Sequence, residues 1–418
     1  MGIFGRFHRA HPLRVVAACA AVAACVLSCA WLAACSPAVG GSDADAGSSK
    51  LEVSDATSAA GGQEEQEASV ADEAQRIVAD MTLEQKVAQM FIVRPEAITG
   101  VDLATTAGDA TRQALQEHPV GGIVYFGDNL QDEQQTREML ANTQQYAQAA
   151  TGLPIFLCVD EEGGTVSRVG GNPGFNVANK GDMRDVGATG DTAYAKQVAV
   201  EIGTYLADLG FNVDFAPDAD VVNNPASDTM ALRAFGSTGQ EAAPFVKAQV
   251  EGFTEAGMLS CAKHFPGIGG AEGDSHEVSI YSHKTIDQMA EDELLPFQAA
   301  IETGVPFVMV GHLSTPEATG DDLPASVNPA IVTDVLRGRL GYEGLVITDS
   351  MGMGAVNERF APADAAVRAI QAGVDIVLMP ADFNAAYQGV LDAVASGQIT
   401  EQRIDESVVR IVEAKLEL

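Results

Sequence analysis

The sequence has few cysteines where a folded domain would use them. Of its six, Cys19, Cys25, Cys29 and Cys35 crowd the N-terminus, and only Cys158 and Cys261 remain in the body, each inside an apolar run. A disulfide scaffold is not expected, and the two body thiols read as small buried hydrophobes. Bases are also scarce: 24 Lys and Arg against 58 Asp and Glu leave a net charge of −34. Such a field repels polyphosphate, so nucleic acid is excluded as a partner, and any carboxylate on a ligand must meet a local positive site. No Gly-rich dinucleotide loop follows the first apolar run, and no close-spaced ligand pair such as His-x-x-x-His is present. Neither a cofactor nor a metal site is therefore expected, although His264, His312 and nearby Asp residues are of ligand type.

Large apolar residues are nearly missing from Ser36 to Ser69, a stretch of Gly, Ser, Ala, Asp and Glu that cannot bury enough surface to order itself. It reads as a flexible tether. Ahead of it, Arg6, Arg9 and Arg14 precede an uncharged apolar run, Val15 to Ala34, that ends Leu32-Ala33-Ala34-Cys35. Small residues before a Cys at the end of an export segment resemble a bacterial lipobox, with Cys35 as the lipidated residue. The alternative is an uncleaved membrane-spanning helix; either way the rest of the chain lies outside the membrane. The expected organisation is a lipoprotein signal peptide over 1–34, a linker over 35–70 and a single domain over 71–418.

What is present in that domain is a regular alternation. Short β-branched apolar runs occur at Gln89–Val93, Gly122–Phe126, Pro154–Asp160, Asn212–Pro217, Leu259–Phe265, Pro306–His312, Leu345–Asp349 and Asp375–Met379. Helix-like stretches separate them, among them Glu133–Ala149, Thr192–Leu209, Gln240–Ala256, Ile286–Thr303, Ala330–Leu340 and Pro362–Ala372, and Thr400–Leu418 closes the chain at helical spacing. Thr82-Leu83-Glu84-Gln85 fits a capping box, with Thr82 at the N-cap and Gln85 three residues later. Continuous apolar runs suit parallel strands buried on both faces. Eight such strand–helix units predict an α/β fold of the (β/α)8, TIM-barrel type.

In such a barrel the site lies at the C-terminal ends of the strands. Here those ends are polar: Asp160, Asp218, Lys263-His264, His312 and Asp349-Ser350. Lys263-His264-Phe265-Pro266-Gly267 with Gly273-Asp274-Ser275-His276, Val346-Ile347-Thr348-Asp349-Ser350-Met351, Asp160-Glu161-Glu162-Gly163-Gly164 with Arg168, and Arg233-Ala234-Phe235-Gly236 are four separate motifs. In their order along the chain they resemble glycoside hydrolase family 3 and are most similar to its bacterial β-N-acetylhexosaminidase branch, over nearly all of residues 75 to 416. After Gly267 this chain has Ile268-Gly269-Gly270-Ala271, less polar than the His-Gly-Asp-Thr of several family members.

The resemblance implies a catalytic nucleophile, Asp349, which would attack the anomeric carbon and later leave. It implies His276 as acid/base, supported by Asp274. An imidazole titrating near neutrality can give a proton to the leaving oxygen and take one from water. It also implies substrate contacts from Asp160, Arg168, Arg233, Lys263 and His264. From the residues alone, Lys263 and Arg233 could equally ion-pair with Asp160 or Asp218 in the mouth, and Asp218 and His312 have no specific role. The expected activity is removal of terminal β-linked N-acetylglucosamine from cell-wall fragments or related oligosaccharides, by an enzyme tethered to the membrane through its lipid. Alternatives are a family 3 β-glucosidase, a glycoside phosphorylase, or a non-catalytic sugar-binding lipoprotein.

Overall fold

The structure is a computed structural model; it describes residues 69–224, 227, 230–271, 275 and 278–418. The expected signal peptide, Cys35 and all but the last two residues of the expected linker lie outside these residues, as do Asp274 and His276.

Eight strands form one parallel sheet. In chain order they are β1 (Phe91–Val93), β2 (Gly122–Val124), β3 (Phe156–Val159), β4 (Val213–Asp214), β5 (Leu259–Phe265), β7 (Phe307–Val310), β9 (Leu345–Thr348) and β10 (Val377–Leu378). Two further short strands, β6 (Ile280–Tyr281) and β8 (Leu313–Ser314), pair with each other outside this sheet. The order β10-β1-β2-β3-β4-β5-β7-β9 is closed by a parallel bridge between Ile347 and Ile376, so the sheet is a barrel. The (β/α)8 expectation holds. Its strands are short and nearly all buried, as continuous runs of Val, Ile, Phe and Leu covered by helices require. Phe156 and Phe307 meet edge to face in the interior, ring centroids 5.4 Å apart, and Cys158 and Cys261 are free and buried.

The helices begin where side chains satisfy their first N–H groups. Thr82 and Gln85 form the expected capping box, and Asp132, Asp191, Thr238, Asp382 and Thr400 each cap another helix. The strands are mostly shorter than the apolar runs that contain them, and two differences have a local cause. The helix begun at Thr82 propagates through Gln89, whose side-chain amide donates to Pro119 O at 2.6 Å, so β1 starts only at Phe91. The stretch Ile286–Thr303 is two helices, Ile286–Ala290 and Leu295–Glu302, because Pro296 lacks the N–H a continuous helix needs and opens the second one instead. Among the described residues no helix is long and apolar enough to cross a membrane.

The closing helix Glu401–Leu416 brings Lys415 against the barrel, where Nζ donates to Gln89 Oε1 at 2.7 Å and lies 5.1 Å from the Phe156 ring centroid. Burial pulls this ammonium down to about 7. The unfolded chain, with an ordinary lysine at about 10.4, then binds more protons than the folded one across that interval, so stability rises with pH there. In urea unfolding the wild type should gain up to about 1.4 kcal/mol per pH unit relative to Lys415→Met between about pH 8 and 9. Parallel slopes for the two proteins would show that the lysine is charged in place.

Candidate active site

The C-terminal end of β3 carries Asp160-Glu161-Glu162, and the three carboxylates meet different partners. Glu161 turns inward and accepts from Ser167 Oγ (2.5 Å), from the backbone N–H groups of Arg168 (2.5 Å), Val169 (2.9 Å) and Gly170 (2.8 Å), and from Tyr205 OH (2.7 Å). This one buried carboxylate shapes the loop that presents Arg168. The turn before it needs Gly164, at φ 55°, since a Cβ there would fall 2.2 Å from Asp182 Oδ1.

Glu162 faces two cations. It accepts from Arg233 Nε at 2.8 Å and Nη2 at 2.7 Å, and it pairs with Lys263 Nζ at 2.7 Å. Lys263 Nζ also donates to Asp160 Oδ1 at 2.7 Å. Arg233 Nη2 lies 3.5 Å from Asp218 Oδ2 and 3.4 Å from His264 Nε2. Beyond them, Asp220 Oδ2 accepts from His264 Nδ1 at 2.7 Å. Burial would raise the Glu162 carboxyl, but Arg233 and Lys263 hold it well below the usual carboxylate range. Lys263 is held above its ordinary value against burial by Asp160 and Glu162. Asp218 is pushed up to about 7, chiefly by burial and then by the charge of Asp220.

Asp349 follows β9. Its N–H donates to Val310 O at 2.8 Å and its Oδ1 accepts from Ser350 N at 2.7 Å. His312 braces the same turn: its Nε2 lies 2.8 Å from Ser350 O and its Nδ1 2.8 Å from Ser326 Oγ.

Asp160, Arg168, Arg233, Lys263, His264 and Asp349 all line one cavity of about 180 Å³. Its other wall is apolar, from Phe126, Phe215, Met309, Met353, Leu378 and Met379. That volume is below the range typical of drug-sized ligands and suits one small ring. A more open depression of about 730 Å³ adjoins it, sharing Phe126 and Arg168.

Every expected binding residue, with Asp349, thus reaches one mouth, and the ion pairs of Lys263 with Asp160 and of Arg233 near Asp218 coexist with that placement. Asp274 and His276 lie outside the described residues. Ser275 between them is buried and its carbonyl accepts from Ala355 N at 3.3 Å, in the segment after Asp349. Sequence reading missed Glu161, Glu162 and Asp220 as parts of the site. The signals were there, in the doubled Glu161-Glu162 at a strand end and in the Asp218-x-Asp220 spacing. Asp218, Asp220 and His264 place ligand-type atoms within 4.8 Å of one another. The Arg233 guanidinium beside them opposes a cation, and Asp220 is already engaged by N–H donors.

The profile of the glycosyl hydrolase family 3 N terminal domain matches residues 82–414. The chain belongs to glycosyl hydrolase family 3. This family 3 barrel is 33% identical over 339 residues to a protein named Beta-hexosaminidase A from Pseudoalteromonas piscicida, an alignment spanning 75% of this chain and 56% of that one. It is 34% identical over 271 residues to Beta-hexosaminidase LpqI of Mycobacterium tuberculosis, covering 63% of this chain and 68% of the relative. Among solved structures, a family 3 beta-N-acetylglucosaminidase from Paenibacillus superposes with a TM-score of 0.75 at 36% identity, over 81% of this chain and 62% of that chain. The chain therefore spans less than two thirds of the length of two of these three.

Glu162 is the anion on which both buried cations depend. Glu162→Gln should cost about 3–5 kcal/mol of unfolding free energy, the usual loss when one partner of a buried pair is removed. Because its folded-state carboxyl titrates below its unfolded value, this contribution is full above about pH 4.3 and fades as pH falls further. Denaturant titrations of both proteins at neutral and acid pH check the sign.

Proposed function

We propose that this family 3 barrel is a retaining β-N-acetylhexosaminidase that releases terminal β-linked N-acetylglucosamine from cell-wall fragments or related oligosaccharides. In this reading Asp349 Oδ attacks the anomeric carbon as His276 protonates the departing glycosidic oxygen, giving a glycosyl ester on Asp349. His276, now neutral, takes a proton from water as the water oxygen attacks the same carbon and Asp349 leaves. Asp274 orients and charges the imidazole. The observation that carries the reading is the single cavity in which Asp349 faces the polar set Asp160, Arg168, Arg233, Lys263 and His264. The hydrogen bond from Ala355 N to Ser275 O supports it, because the residue between Asp274 and His276 is tied beside the segment that follows Asp349. Relatives and solved neighbours named for hexosaminidase activity on the same fold support the choice of sugar.

We further propose that the protein is exported and held to the membrane by a lipid on Cys35, with residues 36–69 as the tether. Growth with labelled fatty acid should label the wild type and not Cys35→Ala, with activity per molecule unchanged.

The kinetic test uses p-nitrophenyl N-acetylglucosaminide and the matching glucoside. Asp349→Ala should lose at least about 10³-fold in kcat/KM, and His276→Ala about 10²–10⁴-fold, on the N-acetylglucosaminide. Added phosphate should leave the rate unchanged. Full activity in Asp349→Ala overturns the assignment, a rate that depends on phosphate identifies a phosphorylase, and release from the glucoside alone identifies a glucosidase.

A further inference from the structure

Asp220 is fully buried, and both of its carboxylate oxygens accept from the end of β5 and the segment that follows it. Its Oδ2 accepts from His264 Nδ1 at 2.7 Å and from His264 N at 3.2 Å. Its Oδ1 accepts from Ile268 N at 2.5 Å. Its own N–H donates to Asp218 Oδ1 at 3.0 Å, while Ala219 N donates to Lys263 O at 2.6 Å, so the 218–220 segment is laced to the end of β5. An ionised carboxylate can only accept, so the ring proton sits on His264 Nδ1 and Nε2 is the atom turned toward Arg233 and the cavity.

Ile268 opens the segment that continues in sequence to Asp274 and His276. That stem is packed hard: a Cβ on Gly269 would fall 2.3 Å from Val221 O, and Gly267 holds φ 111°. A single carboxylate therefore fixes two things, the imidazole that lines the cavity and the origin of the segment bearing the acid/base pair. We propose that Asp220 is a positioning residue that couples sugar recognition by His264 to placement of the stem beginning at Ile268. The inference rests on the glycosidase reading above for its kinetic consequence, but not for the tie itself.

The groups facing the imidazole are Asp220 behind it and Arg233 beside it, with Asp349 lining the same cavity and Asp218 beside Arg233. Burial pulls His264 down, and the hydrogen bond and charge of Asp220 more than offset it, leaving the imidazole above its ordinary value.

Asp220→Asn separates the two links. An amide has one acceptor oxygen where the carboxylate has two. It can serve Ile268 N or His264 Nδ1, not both, and its NH₂ must then face a donor or force the other tautomer. Expected for Asp220→Asn are a rise in KM and a fall in kcat, each of about tenfold or more. The double variant Asp220→Ala/His264→Gln, in which Ile268 N has no side-chain acceptor, should show a further fall in kcat of about tenfold below His264→Gln, because the Ile268 link is lost as well. Kinetics within about twofold of wild type for Asp220→Asn, or a double variant equal to His264→Gln, overturns the proposal.

A second readout needs no variant of Asp220 and no activity. In wild-type protein a hydrogen-bonded, downfield Nδ1 proton, absent in His264→Gln, should persist between about pH 5 and 8. An imidazole protonated only at Nε2 in that range overturns the tie. A wild type without glycosidase activity that still shows the Nδ1 proton would sink the enzymatic reading and leave the tie standing.

Discussion

The structure depends on one constraint: the mouth of the barrel buries several charges together, and none of them is stable there alone. Lys263 and Arg233 are held in place by Glu162, which is itself inside the protein. Removing a charge from water costs several kcal/mol unless partners surround it. The cluster offsets that cost by sharing, with Lys263 between Asp160 and Glu162 and Arg233 between Glu162 and Asp218. Such sharing holds the side chains in fixed orientations before any ligand arrives, which is the state a site needs to recognise a small polar ring.

The neighbouring carboxylates follow the same rule. Glu161 and Glu162 are adjacent in sequence but hold different partners. Glu161 gathers backbone N–H groups and so builds the loop of Arg168, whereas Glu162 gathers cations. Asp218 and Asp220 divide in a similar way, one lying against Arg233 and the other backing His264 and Ile268. In a chain of net charge −34, the acidic excess outside does not set the field within the mouth. Local pairing sets it: Lys263 and Arg233 reach the cavity paired with carboxylates, and Arg168 on the loop whose backbone Glu161 holds.

The barrel supplies rigidity to this arrangement. Asp349 leaves β9 into a turn tied to Val310 on one side, and Met351 N in the same turn donates to Leu378 O on the other. His312 braces the carbonyl of Ser350. The apolar interior, with Phe156 against Phe307, leaves little freedom for the strands to shift.

From sequence alone, the eight barrel strands, their parallel closure and the strand-end positions of Asp160, Lys263, His264 and Asp349 were legible, whereas the short pair Ile280–Tyr281 and Leu313–Ser314 was not. Each is a local signal: a β-branched run covered on both faces cannot alternate, and a polar residue ending such a run points to the mouth. Helix limits were legible where a cap stood at the boundary, as at Thr82; Pro296 carries the same kind of signal, but within a stretch whose apolar spacing reads as one helix. The partition of the acidic residues was not legible. Glu161 and Glu162 are the same residue type in adjacent positions, and only the folded chain brings Tyr205 and the 168–170 backbone to one, and Arg233 and Lys263 to the other. Asp220 became part of the site through contacts with residues more than forty positions away, His264 and Ile268. Sequence determined which groups stand at the strand ends; tertiary closure decided which charge answers which, because that depends on distances across the barrel that no local pattern encodes.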